Sequence, residues 1–286
     1  MEIPHENGGD RTPGADSDTR HVILHYHIFK NAGTSLDHIL KDNFGAGWRE
    51  QEGQGFDWHV EEIEDYLREN TDVTVLSSHT AVLPPPKLPN TVVYPVIFIR
   101  HPIDRVRSVY EFERSQTADT RGAHMAKQLD LAGYVNWRLY RGGDRMIRNY
   151  HAQRLAHAVG SVQGEKILDE HERAVRAVQS LPFIGLVECF DASLVRLQRW
   201  LKPSFPHIRF RREELNVTQK KSLTLDQRLA ELESELGAEL YSALVRANDI
   251  DLDLFEAVKT SYAEERRGLL GLRSLKHSLS LWRVRQ

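Results

Sequence analysis

"HVILHYHIFKNAGTSLDHIL", residues 21–40, decides how the rest of the chain is read. Its opening, "HVILHYHIF" (21–29), is a short apolar run with β-branched and aromatic side chains, the pattern of a buried strand. "KNAGTS" follows as a turn. Leu36, Ile39 and Leu40 then recur at helical spacing, and Thr34 or Ser35 stands where a helix cap belongs. The order is strand, small-residue loop, helix. Such a loop leaves backbone N–H groups pointing at one spot, and the helix N-terminus adds partial positive charge there. Gly33 lets an oxyanion approach the backbone closely. Lys30 adds a full charge, and Thr34 and Ser35 add hydroxyl donors, so the loop reads as an anion cradle. It is not a Walker A loop, which carries its lysine late, before a magnesium-binding hydroxyl.

Outward from this unit the same alternation continues. Val60–Glu69 is an amphipathic helix, after a Gly-rich stretch (45–57) read as loop. "DVTVLSSH" (72–79) is a second strand. "AVLPPPKLPN" (81–90) is a loop, because three successive prolines enter neither ladder. "YPVIFIR" (94–100) is a third strand, followed by a helix from Pro102 through Glu113. Helices are expected over 129–140 and 165–180, a fourth strand in "FIGLVE" (183–188), and a helix over 191–201. Beyond a basic loop (209–221) the remainder is mostly helical. Strands alternating with helices predict a single α/β domain with a central, mainly parallel β-sheet flanked by helices on both faces.

A second constellation is "VIFIRHPIDRVRSVY" (96–110). Arg100 closes a strand at its C-terminal end, the edge where open parallel sheets bind ligands. Arg105 and Ser108 lie three apart on the next helix and so share a face. An arginine fork beside a hydroxyl suits a phosphate. Two anion sites at strand C-termini match a nucleotide with phosphate groups at both ends. 3′-Phosphoadenosine 5′-phosphosulfate (PAPS) is such a molecule.

Composition narrows the class. The chain has 286 residues, with 38 Lys and Arg against 41 Asp and Glu, for a formal charge of −3. There is no global basic field, so no nucleic-acid partner is expected. No apolar stretch is long enough for a transmembrane segment. Residues 1–20 are polar, without the apolar centre of a signal peptide, and read as a disordered leader. One cysteine, Cys189, rules out an intrachain disulfide and fits a reducing, cytoplasmic setting. It is expected as a buried core thiol. Residues 263–286 mix basic and apolar side chains. This segment is suited to a membrane surface or to a second copy in a homo-oligomer, although packing on its own domain is the plainer expectation.

The sequence resembles the PAPS-dependent sulfotransferases of the carbohydrate-modifying, heparan-sulfate type and their soluble bacterial relatives. "HIFKNAGTS" is similar to that family's "HIPKTAGTS", and "IRHPIDRVRSVY" to its "LRDPVERVLSHY". "SSHTAVLP", "NYHAQRLAH" (149–157), "FIGLVECFDASLVRLQRWL" (183–201) and "LNVTQKK" (215–221) match further family segments in order, from about residue 21 to 262. The resemblance implies a P-loop-like phosphosulfate-binding loop made of Lys30, Asn31, Ala32, Gly33, Thr34 and Ser35. Arg100 and Ser108 would hold the 3′-phosphate, His79 would act as base, and Asn149 and Arg154 would lie near the acceptor. Phe29 and Ser78 stand where the family carries proline and glycine, and His101 where it carries an acid.

The implied reaction moves a sulfuryl group from PAPS to a hydroxyl of a glycan or other acceptor, leaving 3′-phosphoadenosine 5′-phosphate (PAP). His79 has an intrinsic pKa near neutrality, suited to a general base. Lys30 and the loop N–H groups would stabilise charge on the departing phosphate. No metal is expected. His25 and His27 face one side of their strand, but no Asp, Glu or Cys lies close in the sequence to complete a site. Two alternatives stand beside this reading: a non-catalytic nucleotide- or glycan-binding protein on the same fold, and a P-loop-type kinase.

Overall fold

The computed structural model describes residues 19–163, 166–210 and 223–268. Most of the expected leader (1–20), the "LNVTQKK" segment and the end of the C-terminal segment lie outside the described residues. The chain is one α/β domain. Its central sheet has five strands, with every pairing parallel.

The central strand is β1 (Arg20–Tyr26), and the loop after it leads into α1 (Gly33–Phe44). On one side lie β3 (Val75–Ser78) and then β2 (Trp48–Glu50) at the edge. On the other lie β4 (Thr91–Ile99) and then β7 (Ile184–Leu186). Alternation along β1 explains why both faces are covered. Val22, Leu24 and Tyr26 enter one core with Ile63 and Leu67 of α2 (Val60–Glu69), Leu155 of α6 (Tyr150–Ala156) and Phe255 of the last helix. Ile23 enters the other core, with Leu36 and Ile39 of α1 and Leu194 and Leu197 of α8 (Phe190–Leu201). Apolar residues on both faces are what a parallel sheet with helices on each side requires.

A third, helical core sits beyond the sheet. It joins α3 (Pro102–Ser115), α4 (Arg121–Gln128) and α5 (Leu131–Tyr140) to α9 (Leu225–Leu236) and α10 (Ala238–Arg246). A small antiparallel ribbon, β5 (Val162–Gln163) with β6 (Lys166–Ile167), precedes α7 (Glu170–Ser180). The final helix, α11, spans Asp249–Gly268. Among the described residues, no helix is long and apolar enough to cross a membrane.

The structure adds β2 inside the stretch read as loop. Three residues suffice there because it pairs only with β3, Trp48 opposite Val75. Pro95 is tolerated within β4 because β7 pairs only with Ile97–Ile99, so the strand is unpartnered on that side at the proline.

Register fixes what emerges at the C-terminal edge. Tyr26 is level with Ser78 on one side and Ile97 on the other. The residues that follow, His27–Gly33, His79 and Arg100, therefore come out together. From β1 the chain turns towards β2 and β3, and from β4 towards β7. The crevice between β1 and β4 is thus the topological switch point, where ligands bind in open α/β sheets.

Candidate functional site

At that crevice lies a cleft of about 1470 Å³, walled by the β1–α1 loop, the first turns of α3, the β7–α8 connection and the start of α9. Lys30, Ala32, Gly33, Thr34, Ser35, His79, Arg100 and Ser108 all line it. The two constellations read in the sequence, 70 residues apart, share one cavity.

The loop has the backbone of an anion nest. Lys30 (φ 63°) and Ala32 (φ 59°) are both left-handed, a conformation that costs a non-glycine residue about 1 kcal/mol or more. Left-handed residues in such a turn direct neighbouring N–H groups into a concavity that suits an anion. α1 starts at Gly33 without any side-chain cap, so its amino end faces the cleft with main-chain donors. The Lys30 ammonium sits 4.7 Å over the Phe112 ring. Asn31 turns the other way. Its buried amide donates to the Phe98 carbonyl (2.8 Å) and lies 2.9 Å from His151 Nε2, which pins the loop to β4. Its N–H donates to the Ile28 carbonyl (3.2 Å), and Asn31 is not part of the cleft lining, so this residue braces the loop from behind.

Gly33 has a second reason beside the one expected. A Cβ there would lie 2.5 Å from His27 Cγ and closer still to Cδ2 and Nε2. The glycine admits an imidazole against the loop. That imidazole belongs to a buried cluster. His25 Nδ1 and His27 Nδ1 reach the two oxygens of Asp37 at 2.8 and 2.9 Å, and Ser77 Oγ lies 3.0 Å from His25 Nδ1. Asp37, ten residues along the chain from His27, is the acid that sequence proximity did not supply. Burial alone would raise its carboxyl pKa. The His25 charge and the bonds from His25, His27 and Ser77 outweigh that and hold it well below the usual carboxylate range. The two imidazoles are stacked with planes 17° apart. Each sends its Nδ1 to a separate oxygen of the one carboxylate, and one ligand atom from each of His25, His27 and Asp37 lies within 4.8 Å of the others, so the cluster clamps the carboxylate and also brings together a donor set that could hold a metal ion.

His79 follows β3 and packs against His27, ring centroids 3.7 Å apart and planes tilted by 33°. Its Nδ1 lies 3.0 Å from the His27 carbonyl, which can only accept, so the neutral ring carries its proton there and keeps the Nε2 lone pair. Burial and neighbouring His27 lower its pKa below 6.5, with Glu52 and Asp37 opposing.

Arg100 is held by Asp104, one turn along, through Nε (2.8 Å) and Nη2 (2.6 Å). Asp104 also accepts from Arg228 Nε at 2.8 Å. The Arg100–Asp104–Arg228 triad carries a net positive charge on the cleft wall, beside Ser108. Arg228 was invisible to sequence reasoning because it comes from α9. Arg105 does not join Ser108 in the cleft. It is 1% exposed, donates to the carbonyls of Phe29 and Met146, and stacks 4.4 Å over Tyr150. Its guanidinium lies beneath the loop. Cys189 is not a core thiol: it is exposed and lines the cleft.

Asn149 and Arg154 do not line the cleft. Asn149, left-handed at φ 43°, ties α6 to α11 through Asp249 and the Asp251 N–H. Arg154 pairs with Asp57 (2.8 Å) and donates to the carbonyls of His79 (3.3 Å) and Ala81 (2.9 Å), so it acts on the segment carrying His79.

Over 252 residues, 86% of this chain and 98% of the other, the sequence is 34% identical to an uncharacterized protein of Archaeoglobus fulgidus. The two belong to one family. No family model matches the chain. With 98% of the relative's length included in the match, the family is defined across the whole domain and not by one motif.

Proposed function

We propose that the protein is a sulfotransferase that moves a sulfuryl group from PAPS to an acceptor hydroxyl, with carbohydrates the first acceptor class to test. The observation that carries this reading is the convergence of the Lys30 loop, the Arg100–Ser108 pair and His79 on one cleft. Two anion-binding elements lining one cavity suit a nucleotide charged at both ends. The strained backbone at Lys30 and Ala32 is a cost that an anion-binding nest explains.

When bound, the nucleotide supplies the sulfuryl group and, as PAP, the leaving group. Lys30, the N–H groups from Ala32 to Thr34 and the hydroxyls of Thr34 and Ser35 would hold its phosphosulfate end, and Arg100 with Ser108 its 3′-phosphate. His79, neutral at pH 7 and with Nε2 available, would take the acceptor proton as the new O–S bond forms. The S–O bond to phosphate breaks on the opposite side, where Lys30 and the loop meet the developing charge.

The test is a titration with PAP, followed by transfer from sulfur-labelled PAPS to a glycan panel. Lys30→Ala and His79→Ala should lose transfer. Arg100→Ala should weaken PAP binding about tenfold to a hundredfold, the worth of a charge-assisted bond. Unchanged transfer by Lys30→Ala would overturn the reading. PAP binding without transfer to any acceptor would favour a nucleotide-binding protein on the same fold.

A further inference from the structure

The sequence offers no hint of a role for Glu52, which lies in the Gly-rich stretch after β2. In the fold its carboxylate closes around the turn that carries His79. Oε1 accepts from the His79 N–H (2.9 Å). Oε2 accepts from the Thr80 N–H (2.8 Å), the Ser78 hydroxyl (2.8 Å) and the Thr80 hydroxyl (2.7 Å). All four bonds go to three consecutive residues at the end of β3. From the opposite side Arg154 takes the carbonyls of His79 and Ala81. The main chain of His79 is thus gripped at its N–H by one distant side chain and at its C=O by another, while its ring is fixed by the His27 carbonyl.

We propose that Glu52 is a positioning residue for transfer: it holds the His79 backbone so that the imidazole keeps its Nδ1–H bond and offers Nε2 to the cleft. This rests on the sulfotransferase reading and deepens it. The design has a physical logic. The carboxylate meets four N–H or O–H donors, and a half-buried carboxylate so supplied is ordered at little desolvation cost. Burial works to raise the Glu52 pKa, and the bonds from His79, Thr80 and Ser78 prevail, so the group stays ionised. Its charge also favours protonation of His79, against burial and His27. Glu50 lies close to both, but Glu52 already spends its oxygens on the turn.

Glu52→Gln keeps the size and replaces one acceptor oxygen with an NH₂ that faces donors. Three readouts separate positioning from a merely structural role. PAP affinity, measured by titration calorimetry, should stay within about twofold, because Glu52 touches neither anion site. The transfer kcat should fall of the order of tenfold to a hundredfold, the effect of ångström-scale misplacement of a reacting group. The His79 ring, followed by NMR, should titrate at lower pH than in the parent and show a mixed tautomer. Glu52→Asp, which keeps the charge on a shorter stem, should recover part of the kcat. An unchanged His79 titration and tautomer in Glu52→Gln would overturn the inference, and so would a PAP affinity that falls in step with kcat. Failure of the underlying reading shows separately, as no PAP binding or no transfer by the unmodified protein.

Discussion

Gly33→Ala tests the packing beneath the loop. A methyl at residue 33 would meet the His27 ring at three atoms, with Cγ at 2.5 Å the most distant of them. Ordinary contact is about 3.5–4.0 Å, so ring and loop must separate by ~1 Å or more. The ring has little freedom to move: Nδ1 is bonded to Asp37 at 2.9 Å, and the His79 ring lies 3.7 Å away on one face. Overpacking costs about 1–3 kcal/mol, and loss of the buried His27–Asp37 bond adds about 1–3 kcal/mol. A total of ~3 kcal/mol lowers the midpoint of thermal unfolding by roughly 6–12 °C. The assay is thermal unfolding by circular dichroism of Gly33→Ala, His27→Ala and the double variant. With the imidazole removed, Gly33→Ala should become neutral or mildly stabilising, since Gly33 has no positive φ and alanine is the better helix former. An equal cost in both backgrounds would refute the reasoning, because something other than His27 would then be excluding the side chain.

Two further outcomes follow from the cleft. Cys189, exposed on its wall, should react with a maleimide in the free protein and be protected by saturating PAP; equal alkylation rates with and without PAP would count against the nucleotide lying there. Because the folded pKa of His79 lies below 6.5, the base is lost only on acidification beneath that value. The acid limb of the transfer rate should therefore fall below pH 6.5, and a limb centred above pH 7 would contradict the assignment. The same shift means the unfolded chain takes up the proton first, so this group's contribution to stability also declines as pH drops through that window.

What the sequence disclosed was local. "HVILHYHIF" and "YPVIFIR" were legible as strands because a parallel strand buried on both faces leaves an unbroken apolar run. Trp48–Glu50 was not, because a three-residue edge strand has too little pattern to distinguish it from loop. The cleft could be anticipated at Lys30 and Arg100, since each sits at a strand end that α/β topology sends to one edge. The residues that hold those groups could not. Asp37 reaches His25 and His27 from a helix, Arg228 reaches Asp104 from the far side of a chain excursion, and Glu52 reaches His79 from another loop. Arg105 shows the limit of face arguments: three residues from Ser108, its longer side chain runs inward beneath the loop while Ser108 stays on the wall.

The strand order has a consequence for biosynthesis. β1 is translated first among the strands yet occupies the middle of the sheet, with β3 and β4 as its neighbours. Its backbone finds no strand to pair with until the ribosome has released Val75–Ser78 and Thr91–Ile99, although α1 and α2, which cover its apolar residues, emerge earlier. Non-local pairing of this kind slows folding and leaves a sticky nascent segment exposed. The same segment that ends in the anion loop is thus the part of the chain most in need of chaperone cover during synthesis.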